Sequence, residues 1–159
     1  MLLQVEITSF AVDNQRGMPL IILKEYGGER TVAVPIGPLE ASAIAMHSLE
    51  VQTNKPLTID LVRIAIEQLG GSIMRIVISD VTEQSFSASI HVTAGSSIKV
   101  IECRPCDAIG LALSSGCSIF VRDAVFSKVN SGIELSEEEQ LRRHIRSIDT
   151  TEFGRFVLE

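Results

Sequence analysis

Alternation of apolar and polar residues predicts three short strands before the first helix of this chain. The three predicted strands are Leu3–Thr8, Leu20–Leu23 and Thr31–Val34. Asp13–Gly17 supplies turn residues after the first of them. Gly27 and Gly28 allow the positive φ angles of a tight hairpin between the second and the third. This half of the chain therefore begins as an antiparallel meander.

Proline and glycine mark the limits of two helices that follow. The first is predicted to begin at Pro38, because proline is tolerated in the first turn, and to continue to about Glu50. The second carries apolar residues at helical spacing, with Thr58 as its predicted N-cap and Gly70-Gly71 as its stop. Asp60 lies in its first turn.

The same order of elements then recurs. Strands are predicted at Ile73–Val81, Phe86–Val92 and Ile98–Ile101, a helix from Pro105 to about Ser115-Gly116, and a further strand at Ser118–Val121. Pro38 aligns with Pro105, and Glu40 aligns with Asp107. The repeat predicts an internally duplicated α+β domain over residues 1–130, with halves at about 1–70 and 71–130 and mainly antiparallel sheet. Residues 131–159 are predicted to form a helical extension, since Ser136–Glu139 has capping-box form.

Composition limits the class of protein. A chain of 159 residues with 45% hydrophobic content can bury one core, so a single domain is expected. The mean hydropathy of +0.28 is high, yet no apolar run reaches the length of a membrane span. We expect the surplus apolar surface to form homo-oligomer contacts. We also expect the chain to stay in the cytoplasm, because its N-terminus lacks the pattern of a signal peptide. A net charge of -6 opposes non-specific binding to nucleic acid.

Three segments together resemble the bifunctional nuclease domain family. They are Gly37-Pro38-Leu39-Glu40-Ala41, Pro56-Leu57-Thr58-Ile59-Asp60-Leu61, and Arg104 to Leu113 followed by Ser118 to Val121. The resemblance covers about residues 1–130 and keeps the order of the motifs. It implies a compact, self-associating α+β domain that hydrolyses phosphodiester bonds of DNA and RNA with a divalent metal ion. Two positions depart from the family pattern, since Cys106 replaces the usual serine and Ile59 replaces a usual polar residue.

The resemblance directs attention to three carboxylates and one cation. Glu40, Asp60 and Asp107 are the candidate catalytic groups and the candidate ligands of Mg²⁺ or Mn²⁺, and Arg104 is the candidate for stabilising phosphoryl charge. All lie near helix starts, where backbone N–H groups also favour an anion. Capping and dipole complementarity place acids at the same positions, so a purely structural role is the alternative. Catalysis requires that these groups meet in one cleft.

Two other functions are open at this stage. The acidic balance and the replacement at Cys106 favour a non-catalytic oligomeric binding or regulatory module of the same fold. Cys103 and Cys106 form a C-x-x-C at a strand-to-helix junction, where a thiol redox pair would lie. A zinc site that adds Cys117 would need a histidine from elsewhere.

The remaining candidates are individual side chains. His47, beyond Glu40 on the first helix, is a candidate general base, and the alternative is a solvent-exposed or hydrogen-bonded core histidine. A basic stretch from Arg142 to Arg146 is a candidate phosphate-contacting face, although bases near the end of a helix also complement its dipole. Aromatic content of 4% gives no sign of the stacking platforms of single-strand binders.

Overall fold

A computed structural model of the chain describes residues 1–82 and 85–132. The strands are β1 (Leu2–Asp13), β2 (Met18–Glu25), β3 (Thr31–Pro35), β4 (Gly71–Thr82), β5 (Ser85–Ala94), β6 (Ser97–Cys103) and β7 (Ser118–Arg122). The helices are α1 (Pro38–Ser48), α2 (Thr58–Gln68), α3 (Pro105–Ser115) and α4 (Asp123–Gly132). The predicted α+β class is confirmed. The predicted capping box at 136–139 and the basic stretch at 142–146 lie outside the described residues.

One seven-stranded sheet joins the two halves, in the order β3-β2-β1-β7-β4-β5-β6. Neighbouring strands are antiparallel except for β4 and β7, which run parallel. Each half has the predicted order of three strands and a helix, with β7 between the two meanders. An origin by duplication stays a prediction.

The main core lies between one face of the sheet and the helices. The central helix α3 buries most of its residues in this core, because alanine and glycine let it approach the strands closely. Fully buried members from strands, loop and helices include Ile21, Leu23, Ile36, Ile44, Ile76, Ile78, Ile109, Leu111, Val121 and Phe126. Alternation along β5 directs Ala88, Ile90 and Val92 into this core, so the intervening residues face the other side of the sheet. None of the four described helices lies on that side, which we call the helix-free face.

Helix α2 differs from the others because none of its residues is buried. It packs through Ile59 and Ile66, which are partly buried against the core. A Cβ at Gly110 of α3 would stand 3.3 Å from the side chain of Ile59, so glycine leaves the room that α2 occupies. The predicted N-cap was wrong by one residue, since Thr58 is the first helical residue and Leu57 is the N-cap.

Helix α4 was not predicted from the sequence. Val125 and Phe126 of α4 are fully buried, and the guanidinium of Arg30 lies 4.9 Å from the centroid of the Phe126 ring. Arg30 also donates two hydrogen bonds to Glu25 and one of 2.7 Å to Asp123 at the start of α4. This ion-pair network ties the β2–β3 hairpin to α4.

Two local predictions need correction. Helix α1 ends at Ser48 rather than near Glu50, because Glu50 has a positive φ of 51° that a helix does not accommodate. In the β2–β3 hairpin, Gly27 adopts a positive φ but Gly28 does not. The predicted stop of α3 is confirmed, since Gly116 is left-handed with a φ of 71°.

Candidate active site at two helix N-termini

The equivalent acids of the two halves lie at equivalent positions of neighbouring helices. Helices α1 and α3 each begin at a proline and carry their acid, Glu40 or Asp107, in the first turn. The two helices contact each other. Carboxylates at these positions are favoured by the positive end of each helix dipole. The repeat seen in the sequence therefore produces a pair of acids beside each other in the structure.

Arg104 connects these two acids. Its Nε and Nη2 donate to the two carboxylate oxygens of Asp107 at 2.7 and 2.9 Å, and its Nη1 donates to Oε1 of Glu40 at 3.0 Å. The two hydrogen bonds to Asp107 form a bidentate fork, which fixes the plane of the guanidinium. Hydrogen bonding to Asp107 raises the pKa of Arg104 further above its usual range. We call Glu40, Arg104 and Asp107 the Arg104 cluster.

A glycine makes room for one arm of the cluster. A Cβ at Gly37, the N-cap of α1, would collide with the carboxylate of Glu40. The backbone of Gly37 is extended, with a φ of -70° that any residue adopts. Absence of a side chain, rather than a special backbone angle, is therefore what lets Glu40 fold back over the start of its helix.

Asp60 lies in a different cluster. Its Oδ1 accepts the hydroxyl of Ser114 at 2.6 Å, its Oδ2 accepts the backbone N–H of Leu57 at 3.1 Å, and Nε2 of His47 is 3.5 Å from Oδ1. His47 and Ser114 each lie seven residues after the acids of the Arg104 cluster, which corresponds to about 10 Å along a helix. The structure thus brings three of the four predicted site residues together and leaves Asp60 two helical turns away.

The role of Asp60 in this arrangement is to hold α2 against α1 and α3. Burial raises the pKa of the Asp60 carboxyl, but the hydrogen bonds from Ser114 and from the N–H of Leu57 outweigh that effect and leave the pKa below its usual value. Arg63 of α2 donates to the same Ser114 hydroxyl at 3.0 Å. His47, a candidate general base, is part of this cluster and is not at the Arg104 cluster.

We expect Asp60→Asn to lower the free energy of unfolding by about 1 kcal/mol near neutral pH, because hydrogen bonds to an ionised acceptor are lost. The folded-state pKa of Asp60 lies below the unfolded value. Its stabilisation is therefore present above about pH 4 and is lost as the pH falls through the folded-state pKa. Urea denaturation at pH 7 and at pH 3 to 4 measures the difference in free energy of unfolding between the wild type and Asp60→Asn. We expect this difference to be smaller at the acidic pH.

The matched control is Asp13→Asn in the β1–β2 turn, where Oδ1 accepts the backbone N–H of Gln15 at 2.9 Å. An asparagine oxygen can accept the same bond, so little change is expected. Equal losses for the two variants at both pH values would contradict the role given to Asp60.

A pocket of about 670 Å³ opens on the helix-free face of the sheet, and Arg104 lies in its wall. The other titratable residues of the wall are His91, Glu102, Cys103 and Arg122. Burial, reinforced by the charge of Arg75, lowers the pKa of His91, so its imidazole is neutral at pH 7. Arg104 therefore joins the paired acids to an open cavity large enough for a nucleotide-sized group.

Sequence reasoning missed this pocket. The sequence does carry a signal for it, because polar and apolar residues alternate along β5. This alternation places Ser87, Ser89 and His91 together on the face away from the core. The hydroxyl of Ser89 lies 3.4 Å from Nε2 of His91. A buried serine followed two residues later by a histidine, both on the face away from the core, indicates the polar wall of a cavity.

Metal-ligand geometry is limited within the described residues. Over residues 1–82 and 85–132 no group of three or more His, Cys, Asp or Glu side chains is placed to hold a metal ion. The predicted triad of Glu40, Asp60 and Asp107 is thus not assembled, and neither is a zinc site on Cys103, Cys106 and Cys117. Glu40 and Asp107 remain as a pair, and Mg²⁺ is commonly held by one or two carboxylates with substrate phosphates.

The thiol hypothesis has little physical support. Burial raises the pKa of Cys103 to about 11, and burial likewise raises the pKa of Cys106. Cys106 is buried in the main core, and both cysteines are free. A redox pair needs an accessible thiolate, so these environments argue against such chemistry.

Comparison with known proteins gives two results. A family model described as "Bifunctional nuclease domain" matches residues 21–134. Two proteins from Mycobacterium tuberculosis, one from strain CDC 1551 and one from strain ATCC 25618, are each 31% identical over 154 residues. In each case the match covers 97% of this chain and 92% of the relative, and both relatives are described as uncharacterized. No helix among the described residues is long and apolar enough to cross a bilayer.

Proposed function

The chain belongs to the bifunctional nuclease domain family, and from this premise we propose that it hydrolyses phosphodiester bonds of DNA and RNA at the Arg104 cluster. The observation that carries the proposal is the placement of Arg104. Its guanidinium is fixed by two acids and also lines the pocket. Oriented donors of this kind are what phosphoryl transfer requires, because the reaction depends on positioning and on electrostatic stabilisation.

Arg104 has donors left for a substrate. A guanidinium carries five N–H groups, and the contacts to Asp107 and Glu40 use one on Nε, one on Nη1 and one on Nη2. The remaining N–H groups of Nη1 and Nη2 can donate to the non-bridging oxygens of a phosphate. The side chain is 65% exposed, so a phosphate can approach it from the pocket.

The charge of the cluster favours participation of a divalent cation. Two carboxylates and one guanidinium leave one net negative charge, which repels a phosphate. We propose that Glu40 and Asp107 hold Mg²⁺ or Mn²⁺ together with the substrate, and that Asp60 takes no part. Such an ion, when bound, supplies Lewis-acid polarisation of the phosphoryl group and lowers the pKa of water. Arg104 then fixes the orientation of both acids.

His91 is the proposed proton acceptor. Its imidazole is neutral because burial lowers its pKa, and it lies in the wall of the same pocket as Arg104. A neutral imidazole can accept a proton from an attacking water, whereas a protonated one cannot. The hydroxyl of Ser89 next to Nε2 restricts the orientation of the ring.

The full-length protein is expected to cleave labelled single-stranded DNA and RNA in Mg²⁺ or Mn²⁺ and to lose this activity in EDTA. Asp107→Asn should lower the cleavage rate by about 10²-fold, because it removes one carboxylate from the Arg104 cluster. The measurement is the initial rate of product formation on a denaturing gel.

Asp13→Asn, a matched change in the β1–β2 turn, should keep the wild-type rate. Cleavage that survives both EDTA and Asp107→Asn would come from a contaminating nuclease and would contradict the proposal. Absence of cleavage by the folded wild-type protein under all metal conditions would also contradict it.

A non-catalytic binding module is the second candidate, and one observation favours it. The charges of the Arg104 cluster are paired with one another, and the third acid, Asp60, is hydrogen-bonded elsewhere. A closed ion-pair network of this kind also serves to lock two helix N-termini together. For this candidate we expect retention of a nucleic acid or protein partner with no turnover, and loss of retention in Arg104→Ala.

A further inference from the structure

A second arginine, Arg122, lines the pocket on the side away from Arg104. It is the last residue of β7, whose Ile119 and Val121 are buried in the main core, so alternation places Arg122 on the helix-free face. Its side chain is exposed. The cleavage proposed above uses Arg104 and His91 but not Arg122, so this guanidinium has no role yet.

The order of the strands determines how far apart the two arginines are. Arg104 directly follows β6, Arg122 ends β7, and the sheet places β5 and β4 between these two strands. The residues that pair in one row across the four strands are Cys103, Ala88, Ile78 and Val121. Arg104 and Arg122 each come one residue after a member of this row. Three strand spacings therefore separate their Cα atoms by roughly 14 Å.

The charge of Arg122 is not neutralised by an ion pair. Within residues 1–82 and 85–132, no carboxylate forms an ion pair with its guanidinium. The hydrogen bond from Lys128 is the main reason why the pKa of Asp80 is lowered, and the charge of Arg122 contributes to this shift. Because Asp80 is already paired with Lys128, these three groups leave one net positive charge on the β7 side of the pocket.

The β6 side of the pocket carries the opposite charge. Glu102 lies in this wall, and Arg104 is bonded there to Glu40 and Asp107. Three carboxylates and one guanidinium leave two net negative charges until a divalent cation binds. The imidazole of His91 adds no charge at pH 7, because burial lowers its pKa. A phosphate is therefore attracted to the β7 side of the pocket and needs a metal ion on the β6 side.

The space between the two arginines suits one nucleoside. Its volume of about 670 Å³ is that of a site for a single small molecule. The hydroxyl groups of Ser79, Ser87 and Ser89 line this space and can form hydrogen bonds with a sugar or with the edge of a base. Leu2 and Val77 supply apolar contact in the same wall.

We propose that Arg122 binds the phosphate next to the scissile one, and that the pocket holds the nucleoside between these two phosphates. Arg122 is then a substrate-positioning residue, because a second phosphate held at a fixed distance directs the scissile phosphate to the Arg104 cluster. This inference rests on the proposed function, and it specifies the substrate as a strand with at least two successive phosphates.

Isothermal titration calorimetry of the full-length protein in Mg²⁺ tests this inference without any turnover. The ligands are adenosine 3′,5′-bisphosphate, which has a phosphate on each side of its nucleoside, and the 3′- and 5′-monophosphates of adenosine. We expect the wild type to bind the bisphosphate about tenfold more tightly than either monophosphate, because it makes a second charge-assisted contact. Arg122→Ala should bind all three ligands with similar affinity.

The control is Arg16→Ala, which removes an equal charge from the β1–β2 turn and should keep the preference for the bisphosphate. Circular dichroism verifies that both variants are folded. A wild type that binds the bisphosphate no more tightly than the monophosphates would overturn the inference. A folded Arg122→Ala variant that keeps the full preference would overturn it as well.

Cleavage of modified trinucleotides tests the same contact in the reaction. One linkage is an ordinary phosphate, and its neighbour is either a charged, cleavage-resistant phosphorothioate or an uncharged methylphosphonate, placed on either side. For one of the two placements, we expect the uncharged neighbour to raise the KM of the wild type about tenfold with little change in kcat. In Arg122→Ala the two neighbours should give the same KM.

The two experiments separate this inference from the proposed function. Bisphosphate binding that depends on Arg122, without cleavage of any substrate, would contradict the proposed function alone. Cleavage by a wild type whose KM is the same for charged and uncharged neighbours in both placements would contradict this inference alone.

Discussion

Replacing Arg104 with alanine is expected to lower the rate of phosphodiester cleavage by about 10²- to 10³-fold, the usual effect of removing an oriented donor from developing charge. The variant loses the N–H groups that are free to bind phosphate, and it leaves the carboxylates of Glu40 and Asp107 without their shared partner. The measurement is kcat/KM on labelled single-stranded DNA and RNA, with circular dichroism to verify folding. Because the side chain is largely exposed, the fold should survive.

Arg104→Lys separates charge from geometry. Lysine keeps the positive charge but cannot reproduce a bidentate fork to Asp107 together with a contact to Glu40. We expect most of the activity loss to persist in this variant. Arg16→Ala in the β1–β2 turn is the control and should keep the wild-type rate, because the substitution retains the backbone N–H through which Arg16 bonds to Asp13. Full activity in Arg104→Ala would remove the cluster from the mechanism and leave it as a helix clamp.

Phe126→Ala is expected to lower the free energy of unfolding by about 3–5 kcal/mol, the range for truncation of a buried aromatic residue. Phe126 is 1% exposed, and its ring lies beneath the guanidinium of Arg30. The substitution leaves a cavity between α4 and the sheet and removes the surface on which Arg30 is held between Glu25 and Asp123. Equilibrium urea denaturation monitored by circular dichroism measures the loss.

The control for Phe126→Ala is Tyr26→Ala, which truncates a mostly exposed aromatic residue of the β2–β3 turn. Substitutions at exposed positions away from special features usually change stability by less than about 0.5 kcal/mol. A loss below about 1 kcal/mol in Phe126→Ala would mean that α4 does not pack as described.

Much of this fold was predictable because local chemistry and tertiary position agree. Alternation located every strand of the sheet, and Pro38 and Pro105 located the starts of α1 and α3. The internal repeat of the sequence aligns Glu40 with Asp107. In the structure both carboxylates accept hydrogen bonds from one arginine, Arg104. The equivalence of these two acids can be recognised in the sequence because each has the same spacing from the proline that begins its helix.

The remaining features depend on how elements meet, which spacing does not encode. Asp60 has the same first-turn position as the other acids, but α2 begins beside Ser114 near the end of α3 and not beside its start. Helix α4 was missed because its two buried residues, Val125 and Phe126, stand among polar residues that show no helical repeat of apolar positions. His91 has no recognisable motif around it in the sequence, and its place in the pocket wall depends on residues of the neighbouring strands.

The two departures from the family pattern now have structural positions. Ile59 packs on α3 at Gly110, and Cys106 is buried in the main core. The carboxylates and the guanidinium of the cluster are all present, so these replacements leave its ionic groups unchanged. An isoleucine at position 59 adds apolar contact between α2 and α3 where a polar side chain would have to be hydrogen-bonded.

Helix α2 has no buried residue and is held by two partly buried isoleucines and by the hydrogen bonds of Asp60 and Arg63 to Ser114. Such an element can detach while exposing only a small part of the main core, so we expect its opening to cost less free energy than global unfolding. We therefore expect the amide protons of α2 to exchange with solvent through local opening, and those of the buried helix α3 to exchange only on global unfolding. We therefore expect α2 to open independently of the rest of the domain, whereas the sheet and α3 unfold together.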